Sequence, residues 1–238
     1  MTEKNLAVLL IILFFTSCSI NGDKKENHFE VKHSGAMRNV MMKGDLQSNI
    51  EMDTLSGRNG LYGIGPLEKL RGEILINDGD VFVSTITSEN SIKVEQSVNV
   101  SAPFFVYSTV DDWKKIDLSG SVASIDDLEA LLIKKYSIYQ VPFPFKLDGK
   151  VSYASIHVQN LPPGTLIRSP EDVHPHRSDF VIENTQVEII GFFSKNHQGI
   201  YTHHDSFIHM HLITTDRNLM GHLDEAVFLD MTLYLPVN

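Results

Sequence analysis

Three histidines in two short stretches constrain this chain more than any other feature. In Phe207-Ile208-His209-Met210-His211-Leu212-Ile213, apolar residues and histidines alternate. A period of two belongs to a strand, whose successive side chains point to opposite faces. His209 and His211 then project side by side, and Ile208, Met210 and Leu212 are free to pack into a core. Thr214 to Leu219 contains Asp216, Arg217 and Asn218, a composition suited to a turn. Such a turn brings the next strand back antiparallel and returns His222, in Met220-Gly221-His222-Leu223, towards the pair. Three neutral imidazoles from two paired strands suit a divalent ion, zinc by preference, with its fourth position open as in catalytic sites. A structural zinc site is more often closed by four ligands including cysteine, and Cys18 is the chain's single cysteine. A solvated sheet face carrying two incidental histidines is the competing reading; it leaves His222 unexplained. His203 and His204, beside Thr202 and Asp205, read as loop or surface residues.

Around this hairpin the pattern is that of an α+β chain, mainly β, with mixed and antiparallel sheets and few helices. Glu73 to Ile76 and Val81 to Ser84 flank Asp78-Gly79, a strong hairpin signal. A second hairpin is expected around Asp148-Gly149, between Phe145-Lys146-Leu147 and Lys150 to Val158. Val98 to Val100, Phe104 to Ser108 and Thr185 to Phe193 read as further strands. Four glycines between Gly57 and Gly65 suggest a tight loop, and a short helix is expected within Asn39 to Leu55. The clearest helix runs from Ser124 to Tyr136: Ser124 caps it, Asp126 and Asp127 suit its first turn, and Leu128, Leu131 and Leu132 give it an apolar face. The proline-rich stretch from Leu161 to His176 reads as a loop.

The N-terminus reads as an export signal. Lys4 precedes an apolar run from Leu6 to Phe15 that is too short to span a bilayer at about 20 residues per helix. Phe15-Thr16-Ser17-Cys18 resembles a bacterial lipoprotein signal, in which Cys18 becomes the acylated first residue of the mature protein. Residues 1–18 are therefore expected to be a signal peptide, and the polar residues 19–36 a flexible tether. Residues 37–238 then form the folded domain, exported and held at the membrane on the periplasmic or outer face. A single cysteine offers no disulfide. The net charge of −10 and the lack of any Lys/Arg run argue against nucleic acid and against an anionic membrane surface as partners. Membrane association is expected only through the lipid anchor.

The second half of the chain resembles the α-acetolactate decarboxylase family. The likeness is carried by Gly191-Phe192-Phe193, by Asp205 to Ile213 with its His-X-His, and by Asp216-Arg217 and Gly221-His222. The first half adds Gly65-Pro66-Leu67-Glu68-Lys69-Leu70-Arg71-Gly72-Glu73. The resemblance spans about Asn39 to Leu235 and implies that His209, His211 and His222 bind Zn2+ and that Glu73 lies at the zinc site. Two departures stand out. The family carries a substrate-contacting arginine that falls, by spacing, at or next to His157 in Ser155-Ile156-His157-Val158, where this chain has none. The family also has a glutamate near its C-terminus, and this sequence, ending at Asn238, offers no match for it; Glu225 and Asp230 lie close by in sequence but at other positions.

The implied reaction removes CO2 from 2-acetolactate to give acetoin. A β-keto acid loses CO2 when the electron pair left behind spreads onto the neighbouring ketone oxygen. A divalent ion bound by that oxygen stabilises the developing charge. Glu73 is the candidate for delivering the proton or steering the hydroxyl, and a protonated His157 is the candidate substitute for the arginine. Guanidinium grips a carboxylate in a bidentate fork that imidazolium cannot reproduce. The partner expected is thus a small hydroxy-keto acid, with a homodimer left open as the assembly. A non-catalytic metal-binding lipoprotein on the same fold is the alternative from a different class.

Overall fold

The computed structural model describes residues 29–88 and 91–237. Among the described residues, thirteen strands and two α-helices follow one another in the order β1 (Lys32–Ser34), α1 (Met37–Lys43), β2 (Ile50–Glu51), β3 (Leu61–Pro66), β4 (Glu73–Asn77), β5 (Asp80–Ser88), β6 (Ser91–Gln96), β7 (Ser101–Ala102), β8 (Phe105–Thr109), β9 (Trp113–Asp117), α2 (Ile125–Tyr139), β10 (Phe143–Gln159), β11 (Arg177–Phe193), β12 (Ile208–Thr214) and β13 (Met220–Pro236). The fold class is the expected one, mainly β with few helices. Pairing between the named strands is antiparallel throughout.

One sheet has the order β1-β8-β3-β4-β5-β6, and the other β10-β11-β12-β13-β9. In the second sheet β13 also pairs with β10, so β10 to β13 close on themselves. Ile64, Leu75 and Phe82 of the first sheet share one buried cluster with Leu147, Ile189 and Leu212 of the second. Alternation along β4 decides where Glu73 goes. Ile74 and Ile76 belong to a separate cluster, whereas Leu75 belongs to the shared one, so Glu73 lies on the Leu75 face.

The hairpin at Asp78-Gly79 is present, with positive φ of 53° and 89° at its two central residues, as a type I′ turn requires. Helix α2 is capped by Ser124, whose Oγ accepts from the Asp127 N–H at 3.2 Å. It extends past Tyr136 to Tyr139. The short helix falls at Met37–Lys43 and ends on Gly44 in the left-handed conformation. The stretch from Leu161 to His176 is a loop with two short 3₁₀ turns.

Four expectations require correction. Asp148-Gly149 does not make a hairpin, because β10 runs through it between β11 and β13; a Cβ on Gly149 would sit 1.9 Å from the Asp230 carbonyl oxygen. Glycine there permits a close approach of strands rather than a turn. The glycine-rich stretch ending at Gly65 is partly strand β3, where Gly63 and Gly65 leave room for the Phe105 ring. Val98 to Val100 is not a strand; the short β7 follows it. Part of the expected tether is built into the fold, since Lys32–Ser34 pair with β8 and Phe29 is buried in the main core. Residues 1–28, including the expected signal peptide and Cys18, lie outside the described residues.

Candidate metal centre

Cross-strand register assembles the histidines. The turn between β12 and β13 has Arg217 at positive φ, and it sets His211 directly opposite His222. On its other side His222 is paired with His157 of β10. A row of three histidines therefore crosses three neighbouring strands. His209, two residues before His211 on the same face, completes the cluster. Each of His209, His211 and His222 offers a nitrogen within 4.8 Å of those of the other two, and all three residues are buried. Their ring centroids stand 5.0–5.5 Å apart. The structure thus brings together the three histidines expected to act as ligands.

Glu73 comes to the same point from the other sheet. One carboxylate oxygen accepts from the Gln159 backbone N–H at 3.2 Å, and the other lies 3.7 Å from His211 Nε2. At 3% exposure it is a buried acid rather than a surface strand residue. His157 is also buried, not a surface histidine. Its Nδ1 lies 2.8 Å from Asp224 Oδ2, and its Nε2 lies 3.2 Å from the Gln159 side-chain nitrogen. Nδ1 thus faces the carboxylate and Nε2 faces the amide. A protonated His157 would need the Gln159 amide turned to present its oxygen.

Burial sets the electrostatics. It holds His209 and His222 well below the ordinary histidine value, and the neighbouring histidines push the same way. His211 is lowered to about 3, by burial first and then by the neighbouring His157. Burial raises Glu73 well above the usual carboxylate range, opposed by the hydrogen bond from Gln159 and reinforced by Asp224. The three imidazoles are accordingly neutral with free lone pairs, the form in which histidine binds metal. A nitrogen-rich donor set without thiolate, with a carboxylate beside it, fits a divalent ion of the zinc type.

Two cavities adjoin the cluster. The inner one is small, about 50 Å3, and is walled by Met37, Met41, Leu70 and Phe104 with Glu73 and His157 at its floor. The outer one, about 330 Å3, is lined by Asp126, Glu129, His203, Asp205 and Asp224 among others. Among the described residues that line either cavity, none is Lys or Arg.

Sequence reasoning missed three residues here. Asp224 lies on the same strand face as His222, two residues on, so strand alternation could have found it; Glu225 and Asp230 are exposed. Gln159 bears the same relation to His157. His203 sits at the cluster rather than on the surface, with its Nε2 3.2 Å from His222 Nε2. Nothing in its polar surroundings signals this, because the loop that brings it in has no period. His204 is a surface residue, with its side chain 90% exposed.

The fold and the site together define a mainly β protein with a buried cluster of three histidines that could hold a metal ion. A family model described as "Alpha-acetolactate decarboxylase" matches residues 33–237, and the chain belongs to that family. It is 25% identical over 171 residues to the alpha-acetolactate decarboxylase of Methanosarcina mazei, an alignment covering 69% of this chain and 55% of that protein. The chain thus spans little more than half the length of that relative. It is 24% identical over 200 residues to the Bacillus subtilis enzyme of the same name, covering 81% and 72% of the two chains. The crystal structure of the B. subtilis alpha-acetolactate decarboxylase superposes with a TM-score of 0.71 at 20% identity, over 87% of this chain and 84% of that one. A Staphylococcus aureus protein of unknown function, described as similar to alpha-acetolactate decarboxylase, superposes with a TM-score of 0.73 at 16% identity, over 86% and 84%. At these identities the two structures establish the shared fold.

Proposed function

We propose that this protein is a zinc-dependent carboxy-lyase that converts 2-acetolactate to acetoin. The observation that carries the reading is the convergence of His209, His211 and His222 on one point with the buried Glu73 beside them. When bound there, a divalent ion supplies Lewis-acid polarisation of a substrate ketone oxygen. The side chains supply the rest. Met37, Met41, Leu70 and Phe104 give the inner cavity an apolar wall suited to the methyl groups of acetolactate. They also keep water from a carbon that has just lost CO2. Glu73 is placed to hold a proton at its carboxyl oxygen and pass it to that carbon. His157, oriented by Asp224 through Nδ1, is placed to donate from a protonated Nε2 to the substrate carboxylate once the Gln159 amide gives way.

A second reading, a non-catalytic metal-binding protein on the same fold, has one observation in its favour. The outer cavity is lined by carboxylates and by no Lys or Arg among the described residues, which does not attract an anionic substrate. The two readings separate on one assay: acetoin release from racemic acetolactate by the zinc-loaded chain. Release above the spontaneous rate, abolished in Glu73→Gln, supports the enzyme; zinc bound without release supports the second reading.

The chain's setting is part of the same proposal. Residues 1–18 act as an export signal and Cys18 as the lipid-anchoring residue, with the domain facing the periplasm or cell exterior. Lys4 before an apolar run that ends in Thr16-Ser17-Cys18 supports this. Metabolic labelling with a fatty-acid probe, lost in Cys18→Ser, tests it.

A further inference from the structure

His203 has no part in the proposed reaction, yet it is built into the cluster. Its Nε2 is 3.2 Å from His222 Nε2, and its ring centroid is 5.0 Å from that of His222 and 6.1 Å from that of His209. The separation from His222 matches the spacings within the triad itself, 5.0–5.5 Å. A tetrahedral ion with bonds of about 2.0–2.1 Å holds its nitrogen ligands roughly 3.3 Å apart. The 3.2 Å approach of the two nitrogens is therefore the edge of such a coordination shell as much as a hydrogen bond.

The loop does not leave His203 there by accident. Tyr201 and Thr202 are buried on one side of it. The Thr202 N–H is bonded to the His197 carbonyl, and the N–H groups of Met37 and Arg38 in α1 reach the carbonyls of Ile200 and Gly199 at 2.8 Å. On the other side Glu129 of α2 accepts from the Ser206 hydroxyl at 2.9 Å and from the Phe207 N–H. His203 thus sits between two fixed points, lining both the inner and the outer cavity.

We propose that His203 is a fourth, displaceable nitrogen ligand, closing the three-histidine centre until a substrate oxygen takes its place. The inference rests on the metal-site reading above. Its longer spacing to His209, and its place outside the set of nitrogens that lie within 4.8 Å of one another, make it the donor that moves in to bind and the first to leave. With His209 and His222, it lines both the carboxylate-lined outer cavity and the apolar inner one. A centre closed by four imidazoles has the coordination of a structural site, and it becomes a catalytic one only when His203 swings away.

Cobalt(II) substitution tests this without reference to activity. In the purified chain loaded with Co(II), four nitrogen ligands give an intense tetrahedral visible spectrum. His203→Ala is expected to admit water, weaken the visible bands and lower cobalt affinity by about tenfold or more, whereas His204→Ala leaves both unchanged. His203→Cys is expected to add a thiolate-to-cobalt charge-transfer band in the near ultraviolet, absent from the parent chain. Cobalt bound with identical spectra in the parent and His203→Ala chains, and no such band in His203→Cys, overturns the assignment of His203 and leaves the triad standing. Failure of the parent chain to bind cobalt overturns both.

Discussion

His157 is the cross-strand partner of His222, their rings 4.6 Å apart, although 65 positions separate them in the chain. Long-range β pairing therefore places the one non-ligand histidine of this row next to a proposed ligand. Asp224, on the same strand as His222, then fixes its orientation through Nδ1. A hydrogen bond to a charged group is worth about 1.5–3 kcal/mol. His157→Ala is accordingly expected to lower kcat/KM for acetolactate by about 10- to 100-fold. Asp224→Asn should lower it less, and neither should remove zinc. Steady-state kinetics with parallel metal analysis checks this; loss of the metal in His157→Ala would show a ligand role instead.

Acid should destabilise the centre. His211 is lowered from 6.5 to about 3 in the folded protein, so between these values the unfolded chain binds a proton that the native state does not. Stability then rises with pH across that window, by up to about 1.4 kcal/mol per pH unit for one group. His209 and His222 act in the same direction. Glu73, raised, works the opposite way: the native state holds the extra proton, so its contribution is lost as pH rises above 4.5. Three histidines against one carboxyl give the net sign. Urea titrations of the metal-free chain at pH 7 and pH 5 should show lower stability at pH 5, and unchanged or higher stability there would contradict the account.

At Gly221 β13 passes close to β10. A Cβ there would lie 2.5 Å from the His157 carbonyl oxygen, a backbone atom that cannot step aside. Gly221→Ala should therefore part the strands at the His157–His222 pair. The expected cost is about 1–3 kcal/mol in denaturant unfolding, with weakened zinc binding. Gly120→Ala, where nothing lies within 4 Å of an added Cβ, is the control for the clash, although its own φ of +70° adds backbone strain.

Glu129 ties α2 to the entrance of β12. Glu129→Ala leaves the Phe207 N–H and the Ser206 hydroxyl without their acceptor, an expected loss of about 1–3 kcal/mol. Because the same bonds fix the far end of the His203 loop, hydrogen exchange should rise between Thr202 and Phe207. Exchange unchanged there would mean that the loop is held from the Thr202 side alone.

The sequence was most informative where one strand face carries the chemistry. His209 and His211 were legible because alternation alone puts them together, and the Asp216-Arg217-Asn218 turn made the return of His222 readable. Family resemblance, rather than periodicity, pointed to Glu73, which reaches the cluster by packing of one sheet on the other. His203 was illegible because its position depends on anchors from α1 and α2, remote in sequence. Asp148-Gly149 misled because the dipeptide that favours a tight turn also lets two strands approach closely, and only the pairing of β10 on both sides decides between them. The place of Phe29 and β1 in the fold was hidden because a three-residue edge strand carries too little pattern to stand out from polar neighbours.

The central claim is that one divalent ion sits among His209, His211 and His222. Zinc content of the purified chain, measured beside His209→Ala and His204→Ala, tests it most directly. One zinc per chain is expected in the parent and in His204→Ala, and a small fraction of that in His209→Ala. Full zinc occupancy in His209→Ala, or none in the parent chain after incubation with zinc, would contradict it.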